Sequence, residues 1–225
     1  MGQDRSDIAY AAKEISKTMS APAECDIVPL KRLARYLTEF PRCVSCFNWQ
    51  ENPRALDAFS DSDWGGDLVT RRSTSGGCIL RGGHLLSHWS RTQQVISLSS
   101  AEAELHALCK AASEGMAVSN MGHEMYLGIP MRLSTDSSAA RGIVQRTGVG
   151  KVKHLDIKSL WIQERESMGD FTCVKVPRLE NWSDLMTHHW SEAEGDKHLA
   201  GMAVERRGHL HKSSARGGHQ VWPPV

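Results

Sequence analysis

The spacing of apolar residues divides the chain into three zones. Residues 1–52 carry two helical patterns, DIAYAAKEISKTMS and PLKRLARYLTEF. In the second, Leu30, Leu33, Ala34 and Leu37 recur at i, i+3, i+4 and i+7, and Lys31, Arg32 and Arg35 fall on other faces. Ala21-Pro22-Ala23 separates the two. Two amphipathic helices bury too little for a domain of their own, so this zone reads as the end of something else.

Residues 55–192 change character. LDAFSDS reads as a strand, and SGGCILRGG and HLLSHWS as two strands turned at Gly82-Gly83. A long helix starts at Ser99 or Ser100, either of them a plausible cap, and Pro130 follows its end. Then come a strand at MRLSTDS, helices at SSAARGIVQRT and HLDIKSLWIQERESMG, a strand at DFTCVKVP and a last helix at LENWSDLMTHHW. Three strands before the first helix predict an α/β domain with a mixed sheet rather than a parallel one. Trp64, Trp89 and Trp161 are expected in its core. Residues 195–225 set Lys197, Arg206, Arg207, Lys212 and Arg216 against Asp196 and Glu205 and read as a disordered basic tail.

Composition narrows the classes. No apolar run approaches 18 residues, and the N-terminus lacks the pattern of a secretory signal. The expectation is an intracellular protein, in cytoplasm or nucleus, with no membrane partner. The formal net charge of +1 gives no global attraction to nucleic acid. Such a partner would need a local patch, for which Arg71, Arg72, Arg81, Arg91, Arg146, Lys151 and Lys153 are candidates. Of six cysteines only Cys43 and Cys46 have ligand-like spacing, and no second pair completes a zinc site. They read as small core residues in a reducing compartment.

The stretch AFSDSDWGGD concentrates Asp61, Asp63 and Asp67 at the end of an apolar strand. Glu102 and Glu104 lie in the first turns of the long helix, Asp136 follows a strand, and Asp184 lies in the last predicted helix. Carboxylates gathered at one sheet edge would repel one another unless a divalent cation joined them. Two such ions suit phosphodiester hydrolysis. Pattern alone leaves this reading beside that of solvated surface charge. Asp61 and Asp63 share a strand face, and only one of Glu102 and Glu104 can face a site, with Glu104 in phase with Leu108 and Ala111.

The segments FSDSDWGGD, RRSTSGGCILRGGHLLSHWSRTQQVISLSSAEAELHAL, LSTDSSAARGI, KHLDIKSLWIQE and VPRLENWSDLMT occur in that order. Over residues 55–190 they resemble the ribonuclease H domain of copia-type (Pseudoviridae-like) retrotransposon polyproteins, with its Y-S-D-A-D-W-A-G-D, R-R-S-T-S-G, A-L-S-S-T-E-A-E-Y, C-D-N-Q-S-A, K-H-I-D-I and A-D-I-L-T-K segments. Residues 5–48 resemble the end of the preceding reverse transcriptase. None of the polymerase's catalytic aspartate motifs occurs in the chain.

The resemblance implies a ribonuclease H-like fold: a five-stranded mixed sheet flanked by helices, with a short helical N-terminal segment. It implies three parts: a reverse-transcriptase remnant at 1–52, a ribonuclease H-like domain at 55–192, and the tail at 195–225. The implied activity is Mg²⁺-dependent cleavage of the RNA strand of an RNA–DNA hybrid, with two ions and Mn²⁺ as a substitute. The implied catalytic and metal-binding residues are Asp61, Glu104, Asp136 and Asp184, with Asp156 as the alternative last carboxylate. Asp61 would bridge both ions, Glu104 and Asp136 would hold one, and Asp184 the other. Gly65, Gly66, Ser100, Ser137 and Ser138 are the candidate substrate contacts, the two last standing where the family has N-Q. The rest of a reverse transcriptase is a further implied partner. Two departures stand out. LMTHHW replaces I-L-T-K after the last aspartate, and no histidine precedes Asp184 in VPRLENWS. A decayed or co-opted nucleic-acid-binding fragment is the alternative class.

Overall fold

The computed structural model describes residues 2, 4–148 and 157–208, with backbone alone at 157 and 158. A five-stranded mixed sheet organises it. Strand β2 (Leu56–Asp63) lies at the centre, between β3 (Thr74–Arg81) and β5 (Met131–Thr135). Beyond β3 comes β4 (His84–Thr92), and beyond β5 comes β6 (Thr172–Lys175). The pairs β2/β3 and β3/β4 are antiparallel, whereas β2/β5 and β5/β6 are parallel. The β3–β4 hairpin pairs Arg81 with His84 across Gly82 and Gly83, and Gly82 takes the left-handed φ of +62° that the tight turn requires. This is the ribonuclease H-like architecture that the resemblance implies.

Each face of the sheet has its own apolar layer, because side chains alternate along a strand. On one face, Leu56, Ala58, Ile79 and Leu133 meet Leu105 and Leu108 of α3 (Ser100–Glu124), Ile143 of α4 (Ser138–Val144) and Ile162 of α5 (Ile157–Ser167). On the other, Phe59, Cys78, Leu80 and Leu85 meet Ala9 of α1 (Ala9–Ser16), Leu185, Met186, and Leu199 of α6 (Glu192–Gly201). A second, two-stranded sheet pairs β1 (Arg42–Ser45) with β7 (Val204–Arg207) in antiparallel register. Between α1 and β1 runs α2 (Ile27–Glu39), none of whose residues is buried.

Three expectations differ from what is found. LENWSDLMTHHW forms two short 3-10 turns, Arg178–Glu180 and Trp182–Met186, instead of a helix. Its small polar side chains bond elsewhere: Asn181 Nδ2 donates to Ser60 O at 3.1 Å, and Ser183 Oγ donates to Asn181 Oδ1 at 2.6 Å. Such bonds compete with helical ones and draw the backbone onto β2. The supposed tail begins as helix α6 and continues as β7. Ser191 and Glu194 form a capping box there, and His198, Leu199, Met202 and Val204 are buried behind it. Residues 209–225 of that tail lie outside the described residues. Trp89 is buried, but Trp64 is 57% exposed, its indole Nε1 donating to Ser97 O at 3.1 Å.

The zone 1–52 is braced by bonds within itself and tied to the sheet through Lys13. Arg5 pairs with Asp7 at 2.7 Å and donates to Phe40 O at 2.9 Å, and Tyr36 OH donates to Asp7 Oδ2 at 2.7 Å. Lys13 Nζ donates to Thr74 Oγ1 on β3 at 2.7 Å.

Candidate active site

Parallel pairing brings the ends of β2 and β5 to the same edge of the sheet. Asp61 sits near the end of β2, and Asp136 immediately follows β5. Asp184 lies in the turn Trp182–Met186, which lies across β2 and β3. Gly76, the register partner of Asp61 on β3, makes that close approach possible. A Cβ on Gly76 would stand 2.6 Å from Thr187 Cγ2, 2.8 Å from Met186 Cβ and 3.0 Å from Ser183 O. Asp61, Asp136 and Asp184 each offer one oxygen, and these oxygens lie within 4.8 Å of one another.

Glu104 approaches from the other layer, on the second turn of α3. Its carboxyl is pushed up to about 9, first by burial and then by the charges of Asp61 and Asp136. Its Oε2 is buried and has no hydrogen-bond partner among the described residues. Asp184 is raised by burial first and next by the charge of Asp61. Asp136 is raised by burial and Asp61, with Arg178 and Lys175 acting in the opposite sense. Glu104, Asp136 and Asp184 thus each find ionisation costlier beside Asp61.

The structure separates the residues that pattern left tied. Asp63 accepts a hydrogen bond from the Thr74 backbone N–H and is not in the three-aspartate group. Glu102 closes the start of α3, its Oε2 accepting from Leu98 N at 2.7 Å, while Ser99 Oγ accepts from Glu102 N at 3.2 Å. Asp156 lies outside the described residues.

The candidate substrate contacts fare unevenly. Gly65 N–H is already engaged with Ser73 Oγ at 3.0 Å, and Gly66 lies against the Asp63 carboxylate. Ser137 Oγ caps α4, accepting from Ala140 N at 3.2 Å, and Ser138 Oγ accepts from Lys175 Nζ at 2.5 Å. Ser100 is exposed at the start of α3.

Several residues at the site escaped sequence reasoning. Arg178 is 71% exposed in its side chain and lies 3.6 Å from Asp184 Oδ2. Thr187 Oγ1 donates to Asp61 Oδ2, and His188 Nδ1 lies 2.9 Å from the same hydroxyl. Their one sequence signal was position: Arg178 shortly before, and Thr187 and His188 just beyond, the last aspartate of the motif.

The donor set fits a hard divalent cation. It is made only of carboxylate oxygens, which Mg²⁺ and Mn²⁺ prefer. Opposite ligands on one Mg²⁺ stand ~4.2 Å apart, so oxygens converging within 4.8 Å need little movement to meet an ion. The unpartnered Oε2 of Glu104 offers a further ligand.

No family model matches the chain. A retrovirus-related Pol polyprotein from transposon RE1 of Arabidopsis thaliana is 28% identical over 205 residues, which are 90% of this chain and 14% of that protein. The secreted RxLR effector protein 161 of Plasmopara viticola is 36% identical over 112 residues, 50% of this chain and 78% of that one. Among solved structures, the RNase H1 of Halobacterium salinarum NRC-1 aligns with a TM-score of 0.45 at 19% identity, covering 59% of this chain and 94% of that one. The chain spans about one-seventh of the length of the Pol polyproteins it matches.

Proposed function

Because this chain is 28% identical over 90% of its length to a retrovirus-related Pol polyprotein, we propose that it hydrolyses the RNA strand of RNA–DNA hybrids at the Asp61, Glu104, Asp136 and Asp184 cluster. The observation that carries this reading is the convergence of three aspartate oxygens from separate segments within 4.8 Å. Stability gives no reason to gather and bury these acids.

In this reading Asp61, Glu104, Asp136 and Asp184 would together hold the divalent ions. Bound there, the ions supply positive charge to the phosphate oxygens and make water a better nucleophile at neutral pH. A water oxygen forms the new bond to phosphorus, the bond to the 3′-oxygen breaks, and the proton the water loses is balanced by one the 3′-oxygen takes from solvent, giving a 5′-phosphate and a 3′-hydroxyl. Arg178 and Lys175 are the cations flanking Asp136 that meet the phosphate backbone. Contacts to 2′-hydroxyls across a wide minor groove select RNA. Residues 1–52 are read as the end of a reverse transcriptase, to the rest of which the nuclease would be joined.

The test is cleavage of an end-labelled RNA–DNA hybrid in Mg²⁺ by the native chain, Asp61→Asn and Asp136→Asn. The expected result is cleavage of the RNA strand, lost in EDTA and reduced by at least ~10³-fold in either variant. A native chain with a cooperative melt that binds the hybrid without cutting it would overturn the nuclease reading in favour of a binding module.

A further inference from the structure

Thr187 has one hydroxyl proton and three neighbours for it. Its Oγ1 lies against Asp61 Oδ2, 3.1 Å from the Asp184 carbonyl oxygen and 2.9 Å from His188 Nδ1. Counting donors settles where the proton goes. The Asp184 carbonyl already accepts from Trp190 Nε1–H at 2.9 Å, so it does not need Thr187. If the proton went to His188 Nδ1, a hydroxyl lone pair would face a carboxylate oxygen. The imidazole proton would then sit on Nε2, which is buried and has no partner among the described residues. An orphaned buried donor is the costlier arrangement. The assignment that leaves no donor orphaned runs from His188 Nδ1–H to Thr187 Oγ1, and from Thr187 Oγ1–H to Asp61 Oδ2.

We propose that Thr187 and His188 form a two-step hydrogen-bond relay that positions Asp61 for metal binding, both acting as positioning residues. The inference rests on the metal-binding reading of the cluster and adds to it a device for orienting its central ligand. The relay pins one oxygen of Asp61 and so fixes the rotation of the carboxylate, leaving the other oxygen free to bind an ion. Thr187 is fully buried, which removes water as a competing donor. The imidazole is itself held, its ring centroid 4.6 Å from that of Trp190, whose other ring neighbour is His198 at 4.6 Å. One indole therefore stacks on the donor of the relay and also satisfies the carbonyl that would otherwise divert it. Burial lowers the His188 pKa, so at neutral pH the ring carries the single proton that the relay assigns. Partners that orient a ligand in this way typically govern metal affinity by 10–100-fold.

The test titrates Mg²⁺ into the full chain and follows the rise in melting temperature, with melting in EDTA as the measure of folding. Thr187→Val keeps shape and removes the hydroxyl, while Thr187→Ser keeps the hydroxyl. His188→Leu removes the donor, while His188→Asn keeps a donor near Nδ1. The expected result is a Mg²⁺ midpoint raised about tenfold or more in Thr187→Val and His188→Leu, and within about threefold of native in Thr187→Ser and His188→Asn. Equal midpoints in Thr187→Val and Thr187→Ser, with a lowered melting temperature in EDTA, would reduce Thr187 to a packing residue and overturn the relay. Asp61→Asn separates the two levels. If it abolishes the Mg²⁺ response while Thr187→Val leaves it intact, the relay alone fails. If native and Asp61→Asn both lack a Mg²⁺ response, the metal reading fails and the relay with it.

Discussion

The two faces of the central sheet are covered by different kinds of structure. Helices α3, α4 and α5 cover one face, built of regular turns with apolar residues at helical spacing. The other is covered by pieces from both ends of the described chain: α1, the 3-10 turn Trp182–Met186, α6 and the stretch up to Val204. The first layer brings Glu104 to the site and the second brings Asp184, while Asp61 and Asp136 come from the sheet between them. The difference teaches that an assembled site does not need two regular walls. It needs a turn that can approach the sheet closely, which here depends on Gly76 having no side chain.

If the second layer is as much a core as the first, equal truncations should cost alike. Leu133→Ala on the first side and Met202→Ala on the second are each expected to lose about 2–5 kcal/mol in urea unfolding. Both side chains are fully buried. A loss below about 1 kcal/mol for Met202→Ala alone would mark the second layer as a loose cover.

The cluster should also report on the joint between the layers. Glu104 is raised to about 9 and Asp184 to about 8 in the metal-free fold, against about 4 for unfolded carboxyls. A raised acid pKa means that the folded state binds more protons, so its contribution is full below about 4 and is lost as pH rises through about 8 to 9. In EDTA the melting temperature is expected to fall between pH 6 and pH 9, and Mg²⁺ should remove most of that fall. A flat profile in EDTA would mean that the acids do not repel across the joint.

The smallest effect is expected at the rim. Lys17 on α1's C-terminal side pairs with Asp67 at 3.2 Å, tying the second layer to the loop after β2. Lys17→Ala should cost less than about 1 kcal/mol, measured by chemical unfolding, because water and salt screen the pair.

Legibility in the sequence follows the same division. Strands and helices of the first layer announce themselves by period: Ser99 caps α3 and the glycines turn the β3–β4 hairpin. The second layer is held by contacts that local pattern does not encode. Asn181 bonds Ser60, and Ser90 Oγ donates to Met186 O at 2.6 Å, each across a long stretch of chain. The S-x-x-E capping box at Ser191 was a readable start signal for α6, outweighed by the basic and small residues further along. Among the acids, spacing offered no way to choose between Asp61 and Asp63 or, firmly, between Glu102 and Glu104. In the fold Asp63 is engaged by Thr74 and Glu102 by Leu98, which leaves their neighbours for the cluster.

The pairing of β1 with β7 has a consequence in time. Arg42–Ser45 leaves the ribosome well before its partner, Val204–Arg207. Closing a loop of that size costs entropy that no local contact offsets, so this ladder is expected to form late, after the central sheet and α3. Until residues 182–204 follow, Phe59, Leu80 and Leu85 lack most of their cover, and Asp184 has no fixed place. Synthesis therefore leaves an interval in which the first layer is folded, the second is open, and the acidic centre has yet to come into being.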